Sequence, residues 1–233
     1  MARLPRLSVA GQAHYLIQRG VDGQPVVRDA EDRRGYLRAL GEAAAAQRVA
    51  VHAVALLDDE AHLLVTPPDA AAVGLMMQRL GRRHVGAFNR RHGRHGALFE
   101  GRYRGTVVEA GAWLLDALCW IDGLPARRGA AADADDSLWS SAAHHLGLRR
   151  DAMLSDPPEV WQLGNTPFER ESAFRVRLQQ GLPADRAERL SAGALHGWAV
   201  GSAAFAAAMA ARSERPVLPR PRGRPRAGKA IAG

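Results

Sequence analysis

Runs of apolar residues, separated by turn-forming residues, divide the first half of the chain into helices and strands. Two longer segments, 29–47 and 71–91, repeat their apolar residues every three or four positions, which is typical of helices with one buried face. Four shorter runs are rich in β-branched and other apolar residues and have the length of strands. These predicted strands cover residues 13–19, 49–57, 60–66 and 106–109.

The order of these elements, strand–helix–strand–strand–helix–strand, predicts the fold class. It is the order of the ferredoxin-like or RRM-like α+β folds, in which an antiparallel sheet carries two helices on one face. A third apolar segment, residues 112–123, places Trp113, Ala117 and Trp120 on one helical face, because they are spaced by four and three residues. We expect this third helix to cover part of the remaining sheet surface.

Composition divides the chain into three predicted parts. Residues 1–150 form the α+β domain, residues 151–212 form a helical C-terminal region, and residues 213–233 form a disordered tail rich in arginine and proline. The expected anchors of the helical region are its aromatic and leucine side chains: Trp161, Leu163, Phe168, Phe174, Leu178, Trp198 and Phe205.

Apolar content and cysteine usage indicate the compartment. No apolar run reaches the roughly 18 residues that a membrane helix needs, and the first residues lack the apolar region of a signal peptide. The single cysteine, Cys119, excludes an internal disulfide framework and a zinc cluster built from cysteines. We therefore expect a cytoplasmic protein with no membrane partner.

Positive charge is concentrated in two zones of the chain, which has a formal net charge of +8. Residues 79–104 contain eight arginines against one acidic residue, Glu100, and residues 212–229 contain seven basic residues against Glu214. The arginines of the first zone are Arg79, Arg82, Arg83, Arg90, Arg91, Arg94, Arg102 and Arg104. Two basic zones on an otherwise acidic chain predict a polyanionic partner, for which nucleic acid is the simplest candidate.

One predicted strand carries two residues that can do chemistry. Glu60 and His62 are two positions apart in residues 60–66, so their side chains share one face of the sheet, opposite Ala61 and Leu63. A carboxylate and an imidazole on one face begin a metal site or an acid–base site. The alternative is a solvated or hydrogen-bonded face of the sheet without chemistry.

Seven short motifs, all in order, resemble the REP-associated tyrosine transposases, which are single-tyrosine HUH transposases of insertion sequences. The similarity covers about residues 2–147. The motifs are Ala2-Arg-Leu-Pro-Arg, Gln18-Arg-Gly, Leu63-Leu-Val-Thr-Pro, Gly81-Arg-Arg, Phe88-Asn-Arg-Arg-His-Gly, Glu100-Gly-Arg-Tyr and Trp139-Ser-Ser.

This resemblance implies an activity and a set of catalytic groups. Proteins of the family cleave and rejoin single-stranded DNA and recognise palindromic hairpins through a basic surface. A histidine–hydrophobic–histidine motif on a strand holds a divalent metal that polarises the scissile phosphate, and a helix tyrosine attacks the phosphate to form a covalent link. A polar residue one turn after the tyrosine completes the metal site.

At these catalytic positions the sequence departs from the family pattern. The first histidine is replaced by Glu60, the nucleophile position falls on Trp120, and the third ligand position falls on Leu124. An indole has no hydroxyl that can attack phosphorus, and leucine cannot bind a metal. Glu60 with His62 retains donor atoms that suit weakly bound Mg²⁺ or Mn²⁺. We expect the catalytic function to be lost.

The first hypothesis is a transposase-family protein that binds hairpin or single-stranded DNA without strand transfer. Its DNA-binding candidates are the eight arginines of residues 79–104, whose phosphate contacts would make binding depend steeply on salt. Such a protein would be associated with the nucleoid. The sequence leaves open whether it is a monomer or a homodimer.

Two other hypotheses compete with this one. An active transposase or endonuclease would use Tyr103 as the nucleophile, or a water on a metal at Glu60 and His62. A protein-interaction module or decayed reading frame would have no role with DNA. This last hypothesis is favoured if the basic pairs Arg82-Arg83 and Arg90-Arg91 form salt bridges with acidic residues of the same chain.

The tail contains a separate candidate for DNA contact. Pro221-Arg-Gly-Arg-Pro resembles the core of an AT-hook, an extended segment whose arginines lie in the narrow minor groove of A·T-rich DNA. Arg222 and Arg224 are the arginines of this segment. The alternative is a solubilising tail that contacts no partner.

Overall fold

The computed structural model describes residues 6–130 and 139–219 of the chain. Its first part follows the predicted order of elements: β1 (Ala13–Arg19), α1 (Ala30–Ala46), β2 (Ala50–Leu56), β3 (Glu60–Thr66), α2 (Ala72–Arg91) and β4 (Arg104–Val108). The helices described after β4 are α3 (Ala112–Asp122), α4 (Leu124–Arg127), α5 (Ala142–His145), α6 (Pro158–Trp161), α7 (Pro167–Gln180), α8 (Ala184–His196) and α9 (Ala203–Ala211).

The four strands form one antiparallel sheet in the order β2–β3–β1–β4. The central strand β1 pairs with β3 on one side and with β4 on the other, so that Ile17 lies opposite both His62 and Arg104. The predicted α+β fold, an antiparallel sheet packed with helices, is confirmed. Its central strand brings residues of β3 and β4 next to one another although they are far apart in the chain.

Helices α1 and α2 cover one face of the sheet. Asp29 begins α1, because its side chain accepts hydrogen bonds from the backbone N–H groups of Glu31 and Asp32. The buried side chains of the two helices recur at helical spacing and pack with Leu16 and Leu63 of the sheet. The helical contributors to this core include Tyr36, Leu40, Val73, Met76, Leu80 and Phe88.

The opposite face of the sheet is covered by α3 and by helices from the second half of the chain. Tyr15, Ile17 and Leu64 project into this second core. The helical side chains that meet them include Trp113, Ala117, Leu118 and Ile121 of α3, Phe174 of α7, and Leu190 and Ala194 of α8. The third predicted helix therefore packs on the sheet as expected, and α7 and α8 extend the same core.

Two side chains predicted as anchors of the C-terminal helices lie on the surface instead. Trp161 is 55% exposed and Phe168 is 76% exposed. Helix α6 is a single turn that buries only Glu159 and Val160, so Trp161 at its end faces away from the core. Phe168 lies in the first turn of α7, before the helix reaches the core at the fully buried Phe174.

The division of the chain at residues 150 and 212 stays a prediction. The arginines of the candidate AT-hook, Arg222 and Arg224, lie outside the described residues. Among the residues that are described, no helix is long and apolar enough to cross a membrane.

Candidate functional site

Strand alternation places Glu60 and His62 on the α3 face of the sheet. Both side chains are buried, while the intervening Ala61 and the following Leu63 point into the core under α1 and α2. Strand β3 lies between β2 and β1, so side chains of both neighbouring strands can contact Glu60 and His62. The shared face predicted from their spacing is therefore present, and it is covered by helices.

Two arginines from different elements contact the Glu60 carboxylate. Arg19, at the end of β1, donates from Nε to Oε2 over 2.9 Å, and Nη1 of Arg128, just after α4, lies 3.3 Å from Oε1. Burial favours the protonated carboxyl, but the contacts with His62 and Arg19 outweigh it and lower the pKa of Glu60 to about 2. Glu60 is therefore an ionised carboxylate held between cationic side chains.

The polar chain continues from Trp120 through Tyr15 to His62. The Trp120 indole N–H donates to the Tyr15 hydroxyl over 3.2 Å, and the Tyr15 hydroxyl lies 2.6 Å from Nδ1 of His62. An indole nitrogen is a donor only, so the Tyr15 hydroxyl accepts from Trp120 and donates to His62. Burial lowers the pKa of His62, which keeps the ring neutral with its proton on Nε2, 3.3 Å from Glu60 Oε1.

This arrangement does not fit a divalent metal at the predicted position. Nδ1 of His62 accepts a hydrogen bond from the Tyr15 hydroxyl, Nε2 carries the ring proton, and both oxygens of Glu60 face cationic groups. Leu124, at the third ligand position, is part of the apolar core beside α3. Within residues 6–130 and 139–219, no group of three or more His, Cys, Asp or Glu side chains could hold a metal ion.

A third arginine lies against Trp120. The Arg127 guanidinium is 4.0 Å from the centre of the indole ring and donates a hydrogen bond to the Trp120 carbonyl. Trp120 is half-buried, so its ring is covered on one side by Arg127 while its N–H points inward to Tyr15. The position that the resemblance assigns to a nucleophile thus holds an indole that joins a hydrogen-bonded chain.

Sequence reasoning missed four residues of this site: Tyr15, Arg19, Arg127 and Arg128. Two of them had a usable signal, because Tyr15 and Arg19 are on the same face of β1 as Ile17, and Arg19 lies directly opposite Glu60 in the antiparallel register. No comparable signal exists in the sequence for Arg127 and Arg128, which reach the site because the chain turns at Gly123 into α4.

Tyr103, the alternative nucleophile, lies elsewhere. It precedes β4, packs against the core of α1 and α2, and carries the Arg6 guanidinium 3.8 Å above its ring. Burial raises the pKa of its hydroxyl. The structure therefore does not bring Tyr103 to the α3 face, where Glu60 and His62 are buried.

The predicted DNA-binding arginines fall into two groups. Arg83 pairs with Glu42, Arg91 with Asp29, Glu31 and Asp32, and Arg104 with Glu100, while Arg94 donates to Gln24. In the described part of the chain, the remaining four make no ion pair and are exposed: Arg79, Arg82, Arg90 and Arg102. The third hypothesis, in which the protein has no role with DNA, is favoured by salt bridges at both basic pairs. Among the described residues, Arg83 and Arg91 form them but Arg82 and Arg90 do not, so this condition is met only in part.

A cleft of about 540 Å³ lies beside this second group of arginines. It is bounded by α2 and the loop before β4, and its lining includes Gln18, Gln78, Tyr103 and Arg102. A much smaller cavity, of about 10 Å³, has Arg19, Arg102 and Arg104 in its lining together with Glu100. Arg102 therefore lines both the cleft and the small cavity beside Arg19.

Comparison with known proteins gives structural neighbours but no sequence match. No family model and no curated protein matches the sequence. A REP-associated tyrosine transposase bound to a REP hairpin superposes with a TM-score of 0.55 at 9% identity, over 67% of this chain and 99% of that chain. A candidate transposase from Deinococcus radiodurans R1 gives a TM-score of 0.37 at 23% identity, over 47% of this chain and 88% of that one. The first comparison shows that the chain has the fold of the REP-associated tyrosine transposase.

Proposed function

We propose that the protein is a transposase-family protein that binds single-stranded or hairpin DNA without strand-transfer activity. The observation that carries this proposal is the set of exposed arginines without ion pairs, Arg79, Arg82, Arg90 and Arg102, on a described surface of this fold. The solved neighbour with the same fold is itself bound to a REP hairpin, which supports the class of ligand.

The surface of α2 suits contact with a nucleic-acid backbone. Arg79 and Arg82 are three residues apart, so they lie on one side of the helix. Gln78, next to them, lines the cleft that also contains Arg102 and Tyr103. Arginine binds phosphate through paired N–H groups, and aromatic and amide side chains contact unstacked bases. A DNA strand along α2 would therefore meet both kinds of contact.

The residues at the catalytic positions support binding without strand transfer. Covalent transfer needs a hydroxyl that can reach phosphorus. Trp120 has no hydroxyl, and the nearest one, on Tyr15, is buried at 1% exposure and donates to His62. Burial also raises the pKa of the Tyr15 hydroxyl, which disfavours the nucleophilic phenolate. Binding to DNA in this proposal requires neither Mg²⁺ nor Mn²⁺.

The proposal is tested by incubating the protein with a labelled single-stranded REP-like hairpin and Mn²⁺, and running a native gel beside a denaturing gel. We expect a shifted native band with neither a covalent adduct nor cleavage. Arg82→Gln is expected to weaken binding about tenfold and to lower the salt slope by about 0.7–0.9, the value of one phosphate contact.

Arg83→Gln is the matched control, because it removes the same charge from a neighbouring side chain that pairs with Glu42. Its binding is expected to stay within about twofold of wild type. Absent or salt-insensitive binding would refute the DNA-binding function. A covalent adduct would show that strand transfer has been kept and would refute its proposed loss.

The remaining predictions extend this proposal. We propose that Arg222 and Arg224 add contacts in the minor groove of A·T-rich duplex flanking a hairpin. A protein that binds DNA through both the α2 surface and this tail segment would be found with the nucleoid.

A further inference from the structure

The candidate site concentrates positive charge where the resemblance would place a divalent cation. We propose that Arg19 and Arg128 bind a phosphodiester group of a DNA strand at this place without any metal. The inference rests on the proposed function and identifies a second contact region for the same DNA, on the opposite face of the sheet from α2. It follows from the disagreement between these residues and a metal site.

The buried Glu60 carboxylate contacts the guanidinium groups of Arg19 and Arg128 on their inner side, away from solvent. The Glu60 side chain is 5% exposed, whereas those of Arg19 and Arg128 are 36% and 49% exposed. Each guanidinium has five N–H donors in a planar fork. Arg19 uses Nε for Glu60, and its two terminal amino groups remain for a ligand at the surface. Paired terminal donors of this kind match the oxygens of a phosphate. Arg128 faces Glu60 with Nη1 and Asp59 with Nη2, 3.6 Å away, so it contributes mainly its positive charge.

The local charge favours an anion over a cation. Arg19, Arg127 and Arg128 bring three positive charges to the rim of the site, and Glu60 and Asp59 bring two negative ones. A divalent cation would enter beside three guanidinium groups and would have to displace two of them, those of Arg19 and Arg128, from Glu60. A phosphodiester carries one negative charge and is attracted by the excess positive charge.

The site is connected to the proposed DNA-binding surface. The small cavity beside Arg19 is lined by Arg102 and Arg104, and Arg102 also lines the cleft on α2. Arg102 is therefore close to both the cleft and Arg19, so a strand bound at Arg102 would pass near Arg19. The Trp120 ring, half-buried under Arg127, offers an aromatic surface close to the same rim.

The experiment is a thermodynamic cycle between single phosphates and single arginines. A series of REP-like hairpins with single-stranded flanks is made, each with one phosphate replaced by a neutral methylphosphonate. Wild-type protein is expected to lose about tenfold in affinity at one or two adjacent positions. Arg128→Gln is expected to bind the unmodified hairpin about tenfold more weakly and to lose less than about twofold more at those same positions. EDTA is expected to leave both affinities unchanged.

Arg83→Gln serves as the control, because it removes a paired arginine from a distant helix and should keep the full loss at those positions. If Arg128→Gln and Arg19→Gln both lose the same factor as wild type at every position, the phosphate contact does not exist and the inference fails, while DNA binding stands. If wild type binds no hairpin or single strand, the proposed function itself fails.

Two other outcomes would also overturn the inference. Binding of Mn²⁺ to wild type that is lost in Glu60→Gln, measured by the paramagnetic signal of the ion without DNA, would assign the site to a cation. Stabilisation of the protein by inorganic phosphate that is lost in Arg128→Gln, together with no coupling to any DNA phosphate, would assign the site to free phosphate.

Discussion

At the scale of single residues, the Tyr15 hydroxyl links Trp120 of α3 to His62 of β3. It accepts from the half-buried Trp120 indole and donates to the buried His62. A buried polar group costs little while it is hydrogen-bonded and much when it loses its partner. Tyr15 therefore acts as a structural tyrosine, and Trp120 belongs to the same structural unit.

This role predicts a large stability cost for Tyr15→Phe. The change leaves both the Trp120 N–H and His62 Nδ1 without a partner, so we expect the free energy of unfolding to fall by about 2–4 kcal/mol. Tyr36→Phe is the matched control, because Tyr36 is equally buried but its hydroxyl makes only a long bond of 3.4 Å to Gln18. It should cost less than about 1 kcal/mol. Urea denaturation measures both, and equal costs would show that the Tyr15 contacts add nothing.

The sequence could supply only part of this site. Glu60 and His62 could be placed on one face from their spacing, because alternation along a strand is local. The partners that decide their chemistry come from β1, α3 and the residues after α4, so their contacts depend on tertiary packing. Glu60 therefore looks like a metal ligand in the sequence and is an anchor for two arginines in the structure.

At the scale of elements, the last strand differs from its predicted start, at a glycine that packs closely against its neighbour. The sequence predicts the last strand at 106–109, because glycine such as Gly105 is disfavoured in strands. The strand begins at Arg104 instead, since Gly105 pairs with Leu16 of β1. The helix predicted over residues 112–123 does end at Asp122, and Pro125 lies in the first turn of a separate short helix, α4. That extra turn brings Arg127 and Arg128 to the site.

The close packing of β4 on β1 predicts opposite effects for two glycine substitutions. A Cβ at Gly105 would lie 2.7 Å from Cδ2 of Leu16 and 2.9 Å from the Tyr15 carbonyl oxygen, so Gly105→Ala should destabilise the protein by about 1–3 kcal/mol. A Cβ at Gly81, within α2, meets nothing within 4 Å. Gly81→Ala should therefore stabilise the protein by about 0.5–1 kcal/mol through helix propensity. Thermal unfolding compares the pair, and a neutral Gly105→Ala would contradict the close approach.

At the scale of the whole molecule, the fold could be predicted because element order alone restricts the topology. The two cores on either side of the sheet match the alternation of Leu16 and Leu63 with Tyr15, Ile17 and Leu64. The contribution of α7 and α8 to the second core could not be predicted, since it depends on contacts across more than 50 residues of chain, as between Phe174 and the helix around Ala117. Exposure of Trp161 and Phe168 escaped prediction for the same reason.

Buried histidines make the stability of the molecule depend on pH. Burial lowers the pKa of His52, His62 and His84, and that of His14 to about 4. Burial also opposes the charge on His145, but Asp122, 2.6 Å away, outweighs it and raises the pKa of His145. The group with the raised pKa stabilises the fold below its unfolded value of about 6.5 and loses that contribution at higher pH.

The four histidines with lowered pKa affect the pH dependence of stability in the opposite direction to His145, and their combined effect is larger because there are four of them. Below about pH 6.5 the unfolded chain binds more protons at these positions than the folded one, so the free energy of unfolding should fall as the pH falls, by about 1.4 kcal/mol per pH unit for each histidine. His14 should contribute down to about pH 4. Urea denaturation at pH 7.5, 6 and 5 tests this prediction, and a rise in stability on acidification would refute it.

The pairing of Glu60 with Arg19 and Arg128 also limits which single substitutions toward a metal-binding site would leave a stable protein. Glu60→His alone would give the paired histidines of the resembled motif, but it would leave two guanidinium groups beside them without their carboxylate. A cation could then bind only after Arg19 and Arg128 had changed as well. Each intermediate along this route carries unbalanced charge at a partly buried place. Mutational routes toward a metal-binding site therefore cross a barrier of less stable sequences, which holds the present arrangement in place.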